Sequence, residues 1–123
     1  MPIRSMCVVI TRAPYGREDA FSGLRLALSG VTHGMQFTVV LRGDGVWSAL
    51  RGQRAEAIAM PSNETVVSDI LEMGGAVWTE EGALAARGLS PKDLVEGVQV
   101  APAGRLDGIV LSHDASTPIG GGL

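Results

Sequence analysis

The chain has 123 residues, 46% of them apolar and 19% charged, with a formal net charge of -3. That suits one domain with a real core and is too apolar for a disordered chain. The scattered arginines leave no basic footprint for nucleic acid, no apolar run reaches the length of a membrane span, and a single cysteine excludes an intrachain disulfide or a cysteine-built zinc site.

The first apolar run, Met6 to Thr11, places Cys7, Val8, Val9 and Ile10 in succession, which predicts a strand buried on both faces. Arg4 followed by this run is too short for a signal sequence, so a cytoplasmic location is expected. The run breaks at Arg12-Ala13-Pro14-Tyr15-Gly16, and a helix is expected from about Glu18 to Thr32. Phe21, Leu24 and Leu28 share one face of it, extended by Val31. Ala20, Gly23, Ala27 and Gly30 form an adjoining strip of small residues that would admit another backbone. Glu18 and Asp19 complement the positive end of the helix dipole, and Gly34 is a natural stop. Phe37 to Leu41 reads as a second strand, halted by Gly43-Asp44-Gly45. A helical crossover between two apolar strands argues for a β-α-β unit and a parallel sheet.

Val46 to Leu50 predicts a short helix and Gly52 to Met60 a connector. A helix over Asn63 to Met73 follows, capped by Ser62 or Asn63, with Val66, Ile70 and Met73 as its apolar stripe. Gly74-Gly75 ends it. Ala76 to Trp78 is a short strand, Glu81 to Ala86 a short helix closed by Arg87-Gly88, and Ser90-Pro91 opens another turn. Val98 to Val100 is a fourth strand and Arg105 to Leu111 a last helix. The whole chain, residues 1–123, reads as one domain without internal repeats, and a mobile tail is expected from about residue 118 through Gly120-Gly121-Gly122.

Pro14-Tyr15-Gly16, Glu18-Asp19-Ala20, Gly23-Leu24, Leu26-Ala27-Leu28 and Gly43-Asp44-Gly45-Val46 are followed in order by Gly74-Gly75, Val77, Ala86-Arg87-Gly88-Leu89 and Val95-Glu96-Gly97-Val98. Over about residues 6 to 115 this ordered set resembles the DsrE/DsrF-like family of small sulfur-relay proteins, which includes the TusB, TusC and TusD group. The resemblance implies an α/β fold with a mostly parallel central sheet of about five strands and helices on both faces. It also implies assembly into homo-trimers or homo-hexamers, or into mixed hexamers with related subunits. Active relatives carry sulfur as a persulfide on a cysteine in the loop after the third strand. Counted between Gly74-Gly75 and Arg87-Gly88-Leu89, the family's cysteine positions fall on Glu80 and Ala83. A carboxylate cannot replace a thiolate in persulfide exchange, so the chain reads as a non-catalytic relative with no catalytic residue assigned.

Ligands of open parallel sheets bind beyond the carboxyl ends of the strands. That edge is expected to gather Tyr15 and Gly16 after the first strand, Asp44 and Trp47 after the second, and Glu80 and Glu81 after the third. Asp44 reads as a cap of its turn, and Glu80-Glu81 as solvated acids of a helix start. The competing readings are a small-molecule ligand in the crevice, or a divalent cation between the carboxylates. No cofactor and no metal-ligand set is assigned, because His33 and His113 cannot be brought together from sequence. Cys7 reads as a core thiol, Trp47 and Trp78 as core or interface, and Arg12 and Arg17 as surface partners of Glu18 or Asp19. Ser112-His113-Asp114 is adjacency without triad geometry.

The leading expectation is a scaffold subunit of a sulfur-relay-like assembly, joined near the Trp47 segment or the small-residue strip. The alternative is an independent small-ligand or cation binder. A sulfurtransferase working through Cys7, or a carboxylate hydrolase, comes last. Neither a nucleic acid nor a membrane is an expected partner.

Overall fold

A computed structural model describes residues 3–15, 19–53 and 62–119. Gly16, Arg17, Glu18, most of the expected connector and the triple-glycine tail lie outside the described residues. Strands β1 (Ser5–Ile10), β2 (Gln36–Leu41), β3 (Ala76–Glu80), β4 (Gln99–Ala101) and β5 (Ala115–Ile119) form a five-stranded sheet in the order β4-β3-β2-β1-β5. Every neighbouring pair is parallel. Between the strands run helices α1 (Asp19–Thr32), α2 (Asn63–Glu72), α3 (Glu81–Ala86) and α4 (Ala103–Leu111), with short 3₁₀ segments at Gly43–Ala49 and Pro91–Asp93. Among the described residues no helix is long and apolar enough to cross a membrane.

The unbroken apolar run of β1 follows from cover on both sides of the sheet. Val8 and Ile10 join Val39, Leu41 and Val77 beneath α1, α2 and α3. Cys7 and Val9 face the other way and pack with Val40, Trp78 and Leu106, the one buried residue of α4. The two sides are unequal, since among the described residues three helices cover the first and α4 alone the second.

The small-residue strip of α1 serves this packing and not another chain, which corrects the expectation of an assembly surface there. A Cβ on Gly30 would lie 2.4 Å from the Phe37 ring of β2, and one on Gly23 would lie 3.0 Å from Ile10 of β1. The glycines let α1 sit down on its own sheet. In α2 the Ser62 hydroxyl accepts from the Thr65 N–H at 3.2 Å, the expected cap, while Met73 at the far end is 51% exposed and leaves the apolar stripe. The stripe is Val66, Val67 and Ile70.

Several boundaries move, two of them at places that bear on the site and the tail. β3 continues two residues past Trp78, so Glu80 ends a strand instead of standing in a loop. The tail expected from residue 118 is displaced by β5, in which Pro118 and Ile119 pair with Val9 and Ile10. β5 lies at a sheet edge, where proline is tolerated because one side of the strand needs no ladder donor. Asp114 leads into it, accepting from the Arg4 and Ser5 N–H groups at 2.9 and 3.1 Å. These two donors, Arg4 first, hold the Asp114 carboxyl below its usual range.

Candidate functional site

At the carboxyl edge β2 ends against the end of β1. The Arg42 N–H donates to the Ile10 carbonyl at 3.0 Å, and the Gly45 N–H donates to the Arg42 carbonyl at 2.9 Å. Gly43 takes φ +53, which favours glycine, and a Cβ on Gly45 would lie 2.1 Å from the Ile10 oxygen, so the turn demands glycine at position 45. Asp44 is thereby pushed outward between them. Its carboxylate does not cap the 3₁₀ segment, as had been expected, but accepts from Arg87 Nη2 at 2.7 Å and Nε at 3.2 Å. Arg87 also donates to the Ala83 carbonyl at 2.9 Å, which fixes its guanidinium across the end of α3.

Glu80 is not a solvated acid either. Its Oε2 accepts from Arg42 Nε and Nη2 at 3.1 and 3.0 Å, and its Oε1 accepts from the Gly43 N–H at 3.3 Å. The remaining arm of Arg42, Nη1, reaches Asp107 on α4 at 2.6 Å. The Asp107 hydrogen bond, and then Glu80, bind the guanidinium proton more tightly than water does. Glu81, one residue on, is exposed. Glu80, Glu81, Gly43, Ala83 and Arg87 line an open cleft of about 530 Å³ together with Pro102 and Ala103.

The structure thus brings Glu80, Glu81 and the Asp44–Arg87 pair to one place, and sets two other expected residues apart from it. Tyr15 is not part of the cleft lining. It takes φ 66, and its hydroxyl donates to Gln53 Oε1 while accepting from the Asn63 N–H at 3.2 Å. That clamps the loop after β1 to the start of α2. Trp47 is half-buried in the 3₁₀ segment and is likewise absent from the lining. Gly16 lies outside the described residues.

Arg42, Arg87 and Asp107 were not assigned to the site from the sequence, where Arg87 reads only as a helix end and part of a family motif. Arg42 had a usable signal, because it directly follows β2 and so must stand at the carboxyl edge beside the acids. Asp107, 65 residues further along, had none.

Chemically, the cleft presents carboxylates already engaged by guanidinium groups, and no thiol. Cys7, the single cysteine, is completely buried on the α4 side of the sheet. Burial pushes its thiol from an ordinary 9.0 up to about 11, which suppresses the thiolate that sulfur chemistry needs. His33 turns back on Ser29, and His113 meets Thr38, so the two imidazoles have separate local partners. Among the described residues no group of three or more histidine, cysteine, aspartate or glutamate side chains could hold a metal ion.

Fold and site together define a small parallel α/β domain with an ion-paired cleft at the carboxyl edge of its sheet. The sequence profile of the DsrE/DsrF-like family, a family related to sulfur relay, matches residues 4–116, and the chain belongs to that family. It is 34% identical over 107 residues to an uncharacterized protein of Methanocaldococcus jannaschii, covering 87% of this chain and 92% of that one. Over 86 residues it is 30% identical to the intracellular sulfur oxidation protein DsrF of Allochromatium vinosum, covering 69% of this chain and 63% of that protein. The crystal structure of the YchN protein from E. coli superposes with a TM-score of 0.86 at 24% identity, covering 94% of this chain and 99% of that one. The last is a likeness of fold.

Proposed function

We propose that this chain is a cytoplasmic, non-catalytic subunit of a sulfur-relay-like oligomer, a homo-trimer or homo-hexamer or a mixed hexamer with related subunits. In this reading it organises partners and carries no persulfide of its own. The observation that carries the reading is the state of Glu80. At the strand end where the resemblance sets a sulfur-carrying cysteine, a carboxylate is closed into a pair with Arg42. The buried thiol of Cys7 supports it from the other side of the sheet. Assembly rests on the family resemblance, and Leu111, 84% exposed at the end of α4, is the apolar side chain that a neighbouring subunit would most usefully cover.

Two measurements on the purified protein test this. Persulfide-specific mass labelling after a short incubation with a sulfane-sulfur donor should leave Cys7 modified far below one persulfide per chain, and sedimentation equilibrium should return three or six subunits. Stoichiometric persulfide on Cys7 would remove the non-carrying role, and a monomer throughout the micromolar range would remove the scaffold role.

The open cleft of about 530 Å³ favours a second reading, a small-ligand binder. Calorimetric titration with small cationic solutes separates the two, because only a binder returns saturable heat that Glu80→Gln abolishes.

A further inference from the structure

Among the described residues α4 is the only helix on its side of the sheet, and little in its own sequence holds it there. Leu106 is its single fully buried residue, with Ile109 and Val110 half-buried beside it. Pro102 precedes it without a side-chain cap, the first turn has no acid and the last turn no base. Gly104 and Gly108 stand inside the helix, and a Cβ on either would meet nothing within 4 Å. Packing within the chain therefore gives no reason for glycine, and each weakens the helix roughly two- to five-fold relative to alanine.

Beyond the apolar contact of Leu106, Ile109 and Val110, α4 is retained by a few side-chain tethers. Arg42 Nη1 donates to Asp107 at 2.6 Å, the Arg105 guanidinium stands 5.3 Å from the centroid of the Trp78 ring, and His113, just past the helix, pairs through Nε2 with the Thr38 hydroxyl of β2 at 2.7 Å. Beneath it Cys7 is sealed in one cluster with Val40, Ala101 and Leu106.

We propose that α4 is a detachable strap, latched by Asp107 on Arg42, that lifts from the sheet while the core under α1 and α2 stays folded. Each opening uncovers Cys7. Elements with few buried contacts open locally, well below the free energy of global unfolding. The strap does not depend on the functional reading above, because a subunit of any activity could carry it.

Alkylation of Cys7 by iodoacetamide in the full-length native protein reads the opening directly. The labelling rate should exceed the rate allowed by global unfolding by about tenfold or more, and should stay nearly flat in sub-denaturing urea. Gly104→Ala with Gly108→Ala should slow it roughly five- to thirty-fold. Asp107→Asn should speed it about two- to five-fold, the scale of an exposed ion pair. Ile70→Val, in the opposite core, should lower global stability and leave Cys7 labelling unchanged. A rate that climbs steeply with urea and rises with Ile70→Val would show that Cys7 is reached only by global unfolding, and would overturn the strap. Hydrogen exchange gives an independent reading: α4 amides should exchange far faster than those of β2, and equal protection would also overturn it.

Discussion

Arg42 and Glu80 stand 38 residues apart in the chain and meet side by side at the ends of β2 and β3, with Nε and Nη2 of the arginine both on Oε2 of the glutamate. Their side chains are 24% and 19% exposed, so the pair is partly withdrawn from water. The pairing settles what Glu80 contributes. A solvated carboxylate could be exchanged for an amide without consequence, whereas a carboxylate that accepts three donors organises the edge around it.

Glu80→Gln is therefore expected to cost about 1–2 kcal/mol of stability, the scale of lost charged hydrogen bonds in a partly exposed site. Urea unfolding checks it. A midpoint within error of the parent protein would mean that the Arg42 pair adds nothing to the fold.

Glu80→Cys places a thiol beside an arginine that has lost its carboxylate. The guanidinium favours the thiolate, while exposed Glu81 opposes it, so alkylation should titrate below the ordinary range near 8.5. Labelling rates against pH provide the readout. An unreactive thiol at every native pH would sink the inference that the end of β3 has the geometry of a sulfur-carrying position.

Gly45→Ala should be among the most damaging single substitutions in the chain. The added carbon would lie 2.1 Å from the Ile10 carbonyl oxygen, a backbone atom that cannot swing aside. A loss of about 3 kcal/mol or more is expected, or failure to fold. Gly82→Ala is the control, since its Cβ would meet nothing within 4 Å, and in α3 it should leave stability unchanged or raise it by up to about 1 kcal/mol.

Tyr15→Phe keeps the ring and removes the hydroxyl that joins Gln53 to the Asn63 N–H. The expected cost is about 1–2 kcal/mol, because a part-buried N–H loses its acceptor. Thermal and urea unfolding should agree on this. An unchanged midpoint would remove the hydroxyl from any role in clamping the loop after β1 to α2.

Cys7 gives a pH dependence with a definite sign. Folding raises its pKa from 9.0 to about 11, so the native state holds the proton where the unfolded chain has released it. The stability this contributes is present in full below pH 9 and is lost as pH rises toward about 11, to a total of about 2–3 kcal/mol. Urea unfolding across that window should show the decline in the parent protein. Cys7→Ala should lose that part of the slope, and an identical slope in both would assign it to other groups.

Much of the architecture is written locally. The spacing of Phe21, Leu24, Leu28 and Val31, the Ser62 cap and the Gly74-Gly75 stop place α1 and α2, because periodicity and capping act between residues a turn apart; the packed face itself is shifted toward Ala20, Gly23 and Ala27, with Phe21 and Leu28 only half-buried. The consecutive Cys7, Val8, Val9 and Ile10 announce a strand covered on both sides. Glu81 to Ala86 is a helix with the bounds its sequence suggests. These features need no knowledge of what lies elsewhere in the chain.

Other features arise only when the sheet assembles. β5, Ala-Ser-Thr-Pro-Ile, has no apolar run to read; it becomes a strand because β1 offers it a free edge, and edge strands stay partly in water. The small residues of α1 suit a neighbouring backbone of any origin, and only the packed structure shows that it is the chain's own sheet. The acids of the cleft were visible as residues, but their charge state as a site was not, because Arg42 finds Glu80 and Asp107 across strand ends that sequence distance keeps 38 and 65 residues apart. Ion pairing depends on distance in space, and strand order alone decides which charges come within reach.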